Sequence, residues 1–286
     1  MMLLKLQDIR SDLDGFVKLA RIAQEAKDCA FNSIEVDMAS THWFDANMSA
    51  PLGVLFAHWT DDFNEVQPTS LRQNVEVILT KNRFLLGYGY PERPDTHGTV
   101  IPFRRFQPED DRYFVSYINK HLAGKGIPRM TEGLFRRFTD SLLEIFVNGA
   151  MHSETQLGIF ACGQFFPNKH RLDFCIADAG IGFRQKIKKE LRLSLSSDKA
   201  ILWALQDGHT TKTGPIPGGL GLKLLREFVR LNEGRIQIVS DQGYWECGPD
   251  GENVVRMEQS FPGTVVNLEI NTADTKSYRL SSERAG

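Results

Sequence analysis

One helical stripe of the sequence combines three polar side chains of different chemistry, Glu144, Asn148 and His152. Each four-residue step along an α-helix rotates the side chain by only about 40°, so the three groups share one face. They offer a carboxylate, an amide and an imidazole, which can move protons or hold a polar ligand. A solvated polar face is the other interpretation of such a triplet. Because Lys, Arg and Glu serve solubility with better helix propensity, the mixture favours a functional stripe.

The helix that carries this stripe has an apolar opposite face. Phe138, Leu142 and Phe146 recur at helical spacing and, with Phe135, would anchor the helix in a core. Thr131 stands where an N-cap is needed. The stripe must therefore face something else in the fold.

Three glycine-containing segments further along the chain could supply it. Asp178 ends a predicted strand and is followed by Gly180 and Gly182, which sets an acceptor beside backbone that a ligand can approach closely. Gly218-Gly219-Leu220-Gly221-Leu222 opens a helix, whose first amides suit phosphate. Phe261-Pro262-Gly263-Thr264 leads into the last strand with a small hydroxyl residue. Taken singly, the first segment also fits an ordinary turn and the second a flexible loop.

Composition limits the class of protein. The 286 residues suffice for two domains or one large one, and the formal net charge is −2. Interspersed acids and bases argue against a nucleic-acid footprint or a surface drawn to anionic lipid. Scattered cysteines argue against a zinc site and favour a reducing compartment. Because no segment resembles a signal peptide or a membrane span, we expect a soluble, cytoplasmic protein.

The pattern of helices and strands divides the chain into two units and a tail. Residues 1–107 predict a small α/β domain and a connection that contains one strand near 99–103. Residues 108–272 predict an α+β domain whose last strands lie near 235–240, 244–247, 254–258 and 264–270. Turns are expected at Gln242-Gly243 and at Pro249-Asp250-Gly251. Residues 273–286 predict a flexible tail.

The order of the motifs resembles a known superfamily. Glu144-x-x-x-Asn148-x-x-x-His152, Asp178-x-Gly180-x-Gly182, Gly219-x-Gly221 and Gly263-Thr264 resemble the N box and the three glycine boxes of the GHKL ATPases. These include gyrase, heat-shock chaperones, mismatch-repair proteins, histidine kinases and the anti-sigma-factor serine kinases, to which this chain is most similar. The resemblance covers about 131–270. It implies a Bergerat-type sandwich, with helices over a mixed, mainly antiparallel sheet, and ATP and Mg²⁺ as ligands.

The resemblance also implies roles at the base end of the nucleotide. Asp178 would accept a hydrogen bond from the adenine amino group, and Thr264 would support the same ring. Gly180 and Gly182 would let the backbone pass close to the base. Asn148 would ligate Mg²⁺ through its carbonyl oxygen, with phosphate oxygens and water as the other ligands.

Further roles are implied at the phosphate end. Glu144 would orient or deprotonate the attacking hydroxyl. The amides that would reach the phosphates belong to Gly219, Leu220, Gly221 and Leu222. His152 would have either a phosphate or metal-shell role or a structural one. Lys212 lies in an expected lid, residues 183–217, and would either reach the terminal phosphates or remain a solvated lysine.

The N-terminal unit resembles STAS domains in the strand Ile34-Glu35-Val36-Asp37-Met38, the segment Phe44-Asp45 and the helix from Leu52 to Trp59. In the regulatory members of that family a Ser follows this Asp. Here Ala46 follows Asp45, so we expect a domain that mediates contacts and no phosphoswitch.

Three functions remain open at the level of sequence. The first is Mg²⁺-dependent ATP hydrolysis or ATP-gated switching with a closing lid, and the second is protein serine/threonine phosphorylation of a STAS-type partner. The third is nucleotide sensing without catalysis, which Glu144 disfavours because a sensor needs no acid beside the γ-phosphate. We expect ATP as a partner, with a STAS-type or other regulatory protein and a homodimer left open, and neither nucleic acid nor membrane.

Overall fold

The computed structural model describes residues 1–152, 156–206 and 220–283. The N-terminal unit contains β1 (Met2–Lys5), α1 (Leu13–Glu25), β2 (Ser33–Asp37), α2 (Ser49–Asp61), β3 (Glu65–Thr69) and α3 (Gln73–Lys81). The second unit begins with β4 (Val100–Phe106), α4 (Asp111–Leu122), β5 (Arg129–Met130), α5 (Glu132–His152), β6 (Ile159–Phe166) and β7 (Arg171–Asp178). It ends with α6 (Gly182–Leu191), α7 (Ser197–Ala204), α8 (Leu220–Asn232), β8 (Arg235–Gly248), β9 (Gly251–Asn271) and β10 (Ser277–Tyr278). Short 3₁₀ turns lie at Ala46–Met48, Phe84–Tyr88 and Pro167–Lys169.

Parallel pairing organises the N-terminal unit. The strands lie in the order β1-β2-β3, and Ile34 of β2 pairs with Val66 of β3. The helix α1 begins where the Asp12 carboxylate accepts a hydrogen bond from the Gly15 N–H, 2.9 Å away. The predicted succession of helices and strands is confirmed, with β1 as an additional strand that the sequence pattern did not indicate.

An antiparallel sheet forms the centre of the second unit, in the order β4-β6-β7-β9-β8. The helices α4, α5 and α8 cover one face, where Phe138, Phe146 and Phe174 are almost completely buried. Large aromatic groups of this kind remove the most apolar area from water, so they fix the helices on the sheet. The expected α+β class, with helices over a mainly antiparallel sheet, is confirmed.

The other face of the same sheet is covered by the N-terminal unit. Along β7, Phe174 and Ile176 face the helices, whereas Cys175 and Ala177 face the N-terminal unit, whose α2 packs on β7 and whose α1 packs on β9. Apolar residues of both units therefore belong to one continuous core on this side. The sheet is the middle of three layers, and the first unit is one of the outer layers.

Buried polar groups orient the N-terminal unit on the sheet. Asn47 Nδ2 donates to Asn267 Oδ1 at 2.8 Å, and Asn267 Nδ2 donates to Gln237 Oε1 at 2.8 Å. Gln237 Nε2 in turn donates to the Ser11 carbonyl oxygen at 3.0 Å. Because a buried amide without a partner is costly, this chain of hydrogen bonds permits few relative orientations of the two units.

The strand of the predicted connection belongs to the main sheet. Phe106 of β4 pairs with Ile159 of β6, and β4 forms the sheet edge. The boundary predicted at residue 107 thus separates β4 from the strands with which it pairs. Its pairing partner lies about 50 residues later in the chain, and periodicity within a strand contains no information on such a partner.

The last strands are longer than the sequence pattern predicted. Instead of four short strands, β8 and β9 form one long antiparallel pair whose register shifts near Asp241. The turn expected at Gln242-Gly243 is wrong, because both residues lie within β8. A Cβ at residue 243 would lie 2.7 Å from the Ser197 carbonyl oxygen, so Gly243 is a point of close packing in this strand. The turn at Pro249-Asp250-Gly251 is confirmed as the connection from β8 to β9.

The tail is held in place as far as the structure describes it, contrary to the expectation of a flexible segment for 273–286. Ser277–Tyr278 pairs in parallel with β5, and Tyr278 is 9% exposed. Its ring packs edge-on against Phe228 of α8, with 5.4 Å between the ring centroids. The burial of the Tyr278 ring therefore orders this segment although the residues around it are polar. No helix in the described part of the chain is long and apolar enough to cross a membrane.

Candidate functional site

The helix α5 holds the predicted stripe in a fixed orientation. Its N-terminus is capped as expected, since Thr131 Oγ1 accepts a hydrogen bond from the Leu134 N–H at 3.3 Å. Phe138 and Phe146 are buried on the face opposite the stripe. The aromatic anchor therefore determines which way the polar stripe points, as the sequence predicted.

Glu144 contacts the first turn of α8. Its Oε2 accepts a hydrogen bond from the Gly221 N–H at 2.8 Å. A Cβ at residue 221 would lie 2.8 Å from that same oxygen and 3.1 Å from the Ser141 carbonyl oxygen, so a glycine is needed for the helices to approach this closely. The exposed N–H groups and the macrodipole of a helix N-terminus stabilise an anion at this point.

Asn148, one turn further along α5, has a buried acceptor without a partner. Its Oδ1 is shielded from solvent and receives no hydrogen bond from the residues that the structure describes. Such an orphaned oxygen is costly unless a ligand or cation supplies the missing interaction. A carbonyl oxygen is a ligand that Mg²⁺ accepts, so this atom fits the role implied for it.

Asp178 lies at the end of β7, directly against α5. A Cβ at residue 149 would be 3.2 Å from the Cβ of Asp178, which makes Gly149 the point of closest approach. Asp178 Oδ1 accepts a hydrogen bond from the Gly180 N–H at 2.9 Å. Burial raises the pKa of the Asp178 carboxyl to about 7, while the backbone N–H groups of Gly180 and Thr264 act in the opposite direction.

Asp178 belongs to a polar row across three neighbouring strands. It pairs with Thr264 of β9, which pairs with Ser240 of β8, and the two hydroxyl oxygens lie 3.1 Å apart. Gly263 makes this pairing possible, because at its φ of 139° a Cβ would lie 2.0 Å from the Asp178 carbonyl oxygen. A glycine is also needed at residue 182. Its φ is 73°, and a Cβ there would lie only 2.8 Å from Ser240 Oγ.

Two site residues in this region have no signal in the sequence. Ser240 Oγ accepts a hydrogen bond from the Phe183 N–H at 3.0 Å and so connects the start of α6 to Thr264. His58 of α2 places Nε2 3.1 Å from the Pro262 carbonyl oxygen, two residues before Thr264. Burial lowers the pKa of His58, and a neutral imidazole can donate from Nε2 to that carbonyl. Both residues come from distant elements, so no local spacing could reveal them.

The first part of the expected lid is anchored to the sheet. The sequence predicted one short helix within 183–217, whereas both α6 and α7 are present and pack on β8. Asp241 Oδ2 accepts hydrogen bonds from Arg184 Nε at 2.5 Å and from Ser197 Oγ at 2.8 Å. A single buried carboxylate therefore attaches both helices, an arrangement that requires the β8 backbone to present Asp241 inward.

Several predicted residues lie outside the described part of the structure. Lys212 and Gly219 fall in 207–219, and the side chains of His152 and Leu220 are not described, although their backbones end α5 and begin α8. Leu222 is half-buried and packs its side chain against the core on the helix side of the sheet.

The described residues of the four predicted motifs lie near one another along α5. Glu144 meets Gly221, while Asp178 lies against α5 and pairs with Thr264. Within the same residues no group of three His, Cys, Asp or Glu side chains could hold a metal ion by itself. In comparisons with models of known protein families and with curated proteins, the chain matches none.

Proposed function

We propose that this protein binds Mg·ATP between α5, the end of β7 and the start of α8, and hydrolyses it. The observation on which the proposal depends is the meeting of segments that are distant in the chain. Glu144 and Gly221, 77 residues apart, share a hydrogen bond, and Asp178 lies against the same helix. An acceptor for a base, an orphaned amide oxygen for a cation and a helix N-terminus for phosphate together suit a nucleotide with its cation.

Asp178 would select the base. Its carboxylate can accept a hydrogen bond from the adenine amino group, whereas guanine presents a carbonyl oxygen at the equivalent place and would be repelled. The Gly180 N–H fixes Asp178 Oδ1 at 2.9 Å, and Gly180 itself has no side chain to obstruct a ligand. The hydroxyl of Thr264 is oriented by Ser240, so it can support the same ring. Mg²⁺, held by Asn148 Oδ1 and phosphate oxygens, would neutralise phosphate charge when bound.

Glu144 would link phosphate binding to proton transfer. In the structure its carboxylate accepts the Gly221 N–H, which is one of the donors that phosphate needs. A phosphate oxygen at that amide would displace the carboxylate toward the attacking water. The carboxylate then accepts the water's proton as the water oxygen bonds to the γ-phosphorus and ADP leaves. The same exchange of partners between α5 and α8 would make the helix junction sensitive to nucleotide, which is the basis of a switch.

The first experiment measures binding. Isothermal titration of the full chain with Mg·ATP, Mg·ADP and Mg·GTP should give binding of the adenine nucleotides and at least about tenfold weaker binding of GTP, the cost of one mismatched buried polar contact. Absence of ATP binding, or equal affinity for ATP and GTP, would refute the proposed site.

The second experiment separates chemistry from structure at Glu144. Glu144→Gln keeps an oxygen that can accept the Gly221 N–H but cannot take a proton, whereas Glu144→Ala removes both properties. ATP turnover should fall by a factor of about 10² or more in both variants, with ATP affinity retained in Glu144→Gln. Glu132→Gln, an exposed change at the start of α5, is the matched control and should leave turnover unchanged.

A different outcome would change the assignment. If turnover survived in Glu144→Gln and fell only in Glu144→Ala, the residue would be a helix cap and not a base. Phosphate recovered on protein instead of in solution, in the presence of a STAS-domain protein, would favour the kinase alternative.

A further inference from the structure

Two phenylalanines form an exposed, stacked pair on the N-terminal unit. Phe31 follows α1 and is 80% exposed, and Phe63 follows α2 and is 72% exposed. Their ring centroids are 5.0 Å apart and the ring planes differ by 4°. Stacking protects only one face of each ring, so a large apolar area remains in water at a single place. We refer to Phe31 and Phe63 as the Phe pair.

The backbone under the Phe pair is also unfavourable. Phe31 has a φ of 52° and Phe63 a φ of 60°, both in the left-handed region. A bulky side chain is a rare occupant of that region, where Gly or Asn would be accommodated with little strain. The two positions therefore combine an exposed aromatic ring with a strained backbone. The left-handed backbone does not stabilise the fold, and strained residues of this kind are concentrated at sites that bind other molecules.

A buried asparagine holds the two loops together. Asn64 Nδ2 donates to the carbonyl oxygens of Cys29 and Trp59 at 2.8 and 2.9 Å, and its Oδ1 accepts from the Asn32 N–H at 3.0 Å. The Phe31 N–H also donates to the Asp62 carbonyl oxygen at 3.2 Å. The Phe pair is thus presented on a rigid base, and a partner would lose little entropy in ordering it.

The charges around the Phe pair indicate the type of partner. The segments 27–32 and 60–65 contain four exposed carboxylates against one base, namely Asp28, Asp61, Asp62 and Glu65 against Lys27. A second copy of this surface, or an anionic membrane, would be repelled by that acidic rim. A protein segment with an apolar or aromatic residue flanked by Lys or Arg complements it in both shape and charge.

We propose that the Phe pair is a docking site for a partner protein, which inserts an apolar side chain against the two rings and places basic residues on the acidic rim. The site is on the N-terminal unit and shares no residue with the proposed nucleotide site. It therefore assigns to the N-terminal unit a binding function in addition to covering the sheet and contacting the Pro262 segment through His58.

The test uses the full chain and three sets of fluorescent peptides about 15 residues long. Each peptide has the same central Leu-Trp-Leu, flanked by Lys and Arg, by Asp and Glu, or by Ser and Gly. Fluorescence anisotropy should show binding of the basic set at least about tenfold tighter than the acidic set. The double substitution Phe31→Asn with Phe63→Asn should weaken that binding at least about tenfold. Tyr113→Asn, at a 73% exposed aromatic residue of α4, is the matched control and should bind like the parent.

Thermal unfolding of the same variants distinguishes docking from a structural role. Because Asn tolerates the left-handed backbone, the double variant should melt at the same temperature as the parent or higher. A clearly lower melting temperature would mean that the rings stabilise the fold, and the proposal would be wrong. It would equally be overturned by peptides that bind irrespective of charge or do not bind, by a dimer that the double variant abolishes, or by binding to anionic vesicles that depends on the Phe pair.

Discussion

At the scale of single residues, Asp178 combines two properties that matter for the proposed site. It is the hydrogen-bond acceptor of the proposed base site, and burial raises the pKa of its carboxyl to about 7. Near neutral pH, a change of one pH unit therefore alters substantially the fraction of Asp178 that is an ionised carboxylate. A ligand that donates a hydrogen bond to Asp178 favours the ionised carboxylate, so ligand binding and proton release are linked.

We predict that ATP affinity decreases as the pH is lowered from 8 to 6. With a pKa of about 7, the ionised fraction of Asp178 falls by about tenfold over this range, and affinity should follow it. Asp178→Asn should bind ATP weakly at both pH 8 and pH 6. Any pH dependence of affinity that remains in this variant reports the titration of the ATP phosphates. Titration calorimetry at several pH values gives the comparison. A parent whose pH slope equals that of the variant would contradict the role of Asp178.

We also predict that Asp178→Asn does not destabilise the protein at pH 8. The unfolded chain releases this proton near the ordinary value of 3.8 and the folded chain near 7, so the folded state loses stability as the pH rises through that interval. The neutral amide avoids the buried charge. Denaturant unfolding of both proteins at pH 8 should therefore show equal or greater stability for the variant, which would exclude misfolding as the cause of weak binding.

At the scale of secondary-structure elements, the proposed site depends on how closely β9 and β7 approach. Gly263 has a φ of 139°, and a Cβ at this residue would clash with the Asp178 carbonyl oxygen, only 2.0 Å away. Gly251, the first residue of β9, has a φ of 108° and open space around it. The two glycines share backbone strain but differ in crowding, so they form a matched pair.

Gly263→Ala should destabilise the protein by about 1–3 kcal/mol more than Gly251→Ala, because the first adds an overpacked atom to the strain that both introduce. Denaturant unfolding measures the difference. Gly263→Ala should also weaken ATP binding, because Thr264 can no longer stay in register with Asp178. Equal destabilisation by the two substitutions would show that crowding at β7 is relieved by a small backbone shift.

At the scale of the whole molecule, the N-terminal unit reaches the proposed site through His58. The imidazole lies 3.1 Å from the Pro262 carbonyl oxygen, on the segment that leads to Thr264. We predict that His58→Leu weakens ATP affinity about three- to tenfold with little change in turnover, as expected for the loss of one hydrogen bond that positions a strand. His58→Gln retains a donor and should restore affinity. His121→Leu, at a half-buried histidine of α4, is the control and should bind ATP like the parent. If His121→Leu weakened ATP affinity as much as His58→Leu does, the effect would be a general loss of stability.

The shared core also predicts that the two units unfold together. Ile34 of β2 is completely buried in the apolar cluster that includes Phe160 and Val265 of the main sheet. Ile34→Ala should lower the melting temperature of a single transition, at a cost of about 2–5 kcal/mol, and the calorimetric and van't Hoff enthalpies should agree. Leu231→Ala, at a 60% exposed position, should have little effect. Two separate transitions, with only the first shifted, would mean that the units are independent domains.

The sequence alone determined those features that arise from neighbouring residues. The capped, amphipathic α5 with Glu144 and Asn148 on one face follows from a period of 3.6 residues, and most other helices follow in the same way. The acid at the end of β7 and the glycines before α8 were predicted because turns and helix starts have local chemical requirements. The α+β class follows from the succession of these elements.

Only the tertiary structure decided which of these elements meet. The burial of the second face of the sheet, the pairing of Tyr278 with β5 and the continuity of β8 and β9 all join residues that are far apart in the chain. The same is true of Ser240 and His58, whose types and spacing are unremarkable until Thr264 and Pro262 lie beside them. Local periodicity reports which face of an element is apolar, but the face of another element that covers it is chosen by packing and by the pairing of buried polar groups.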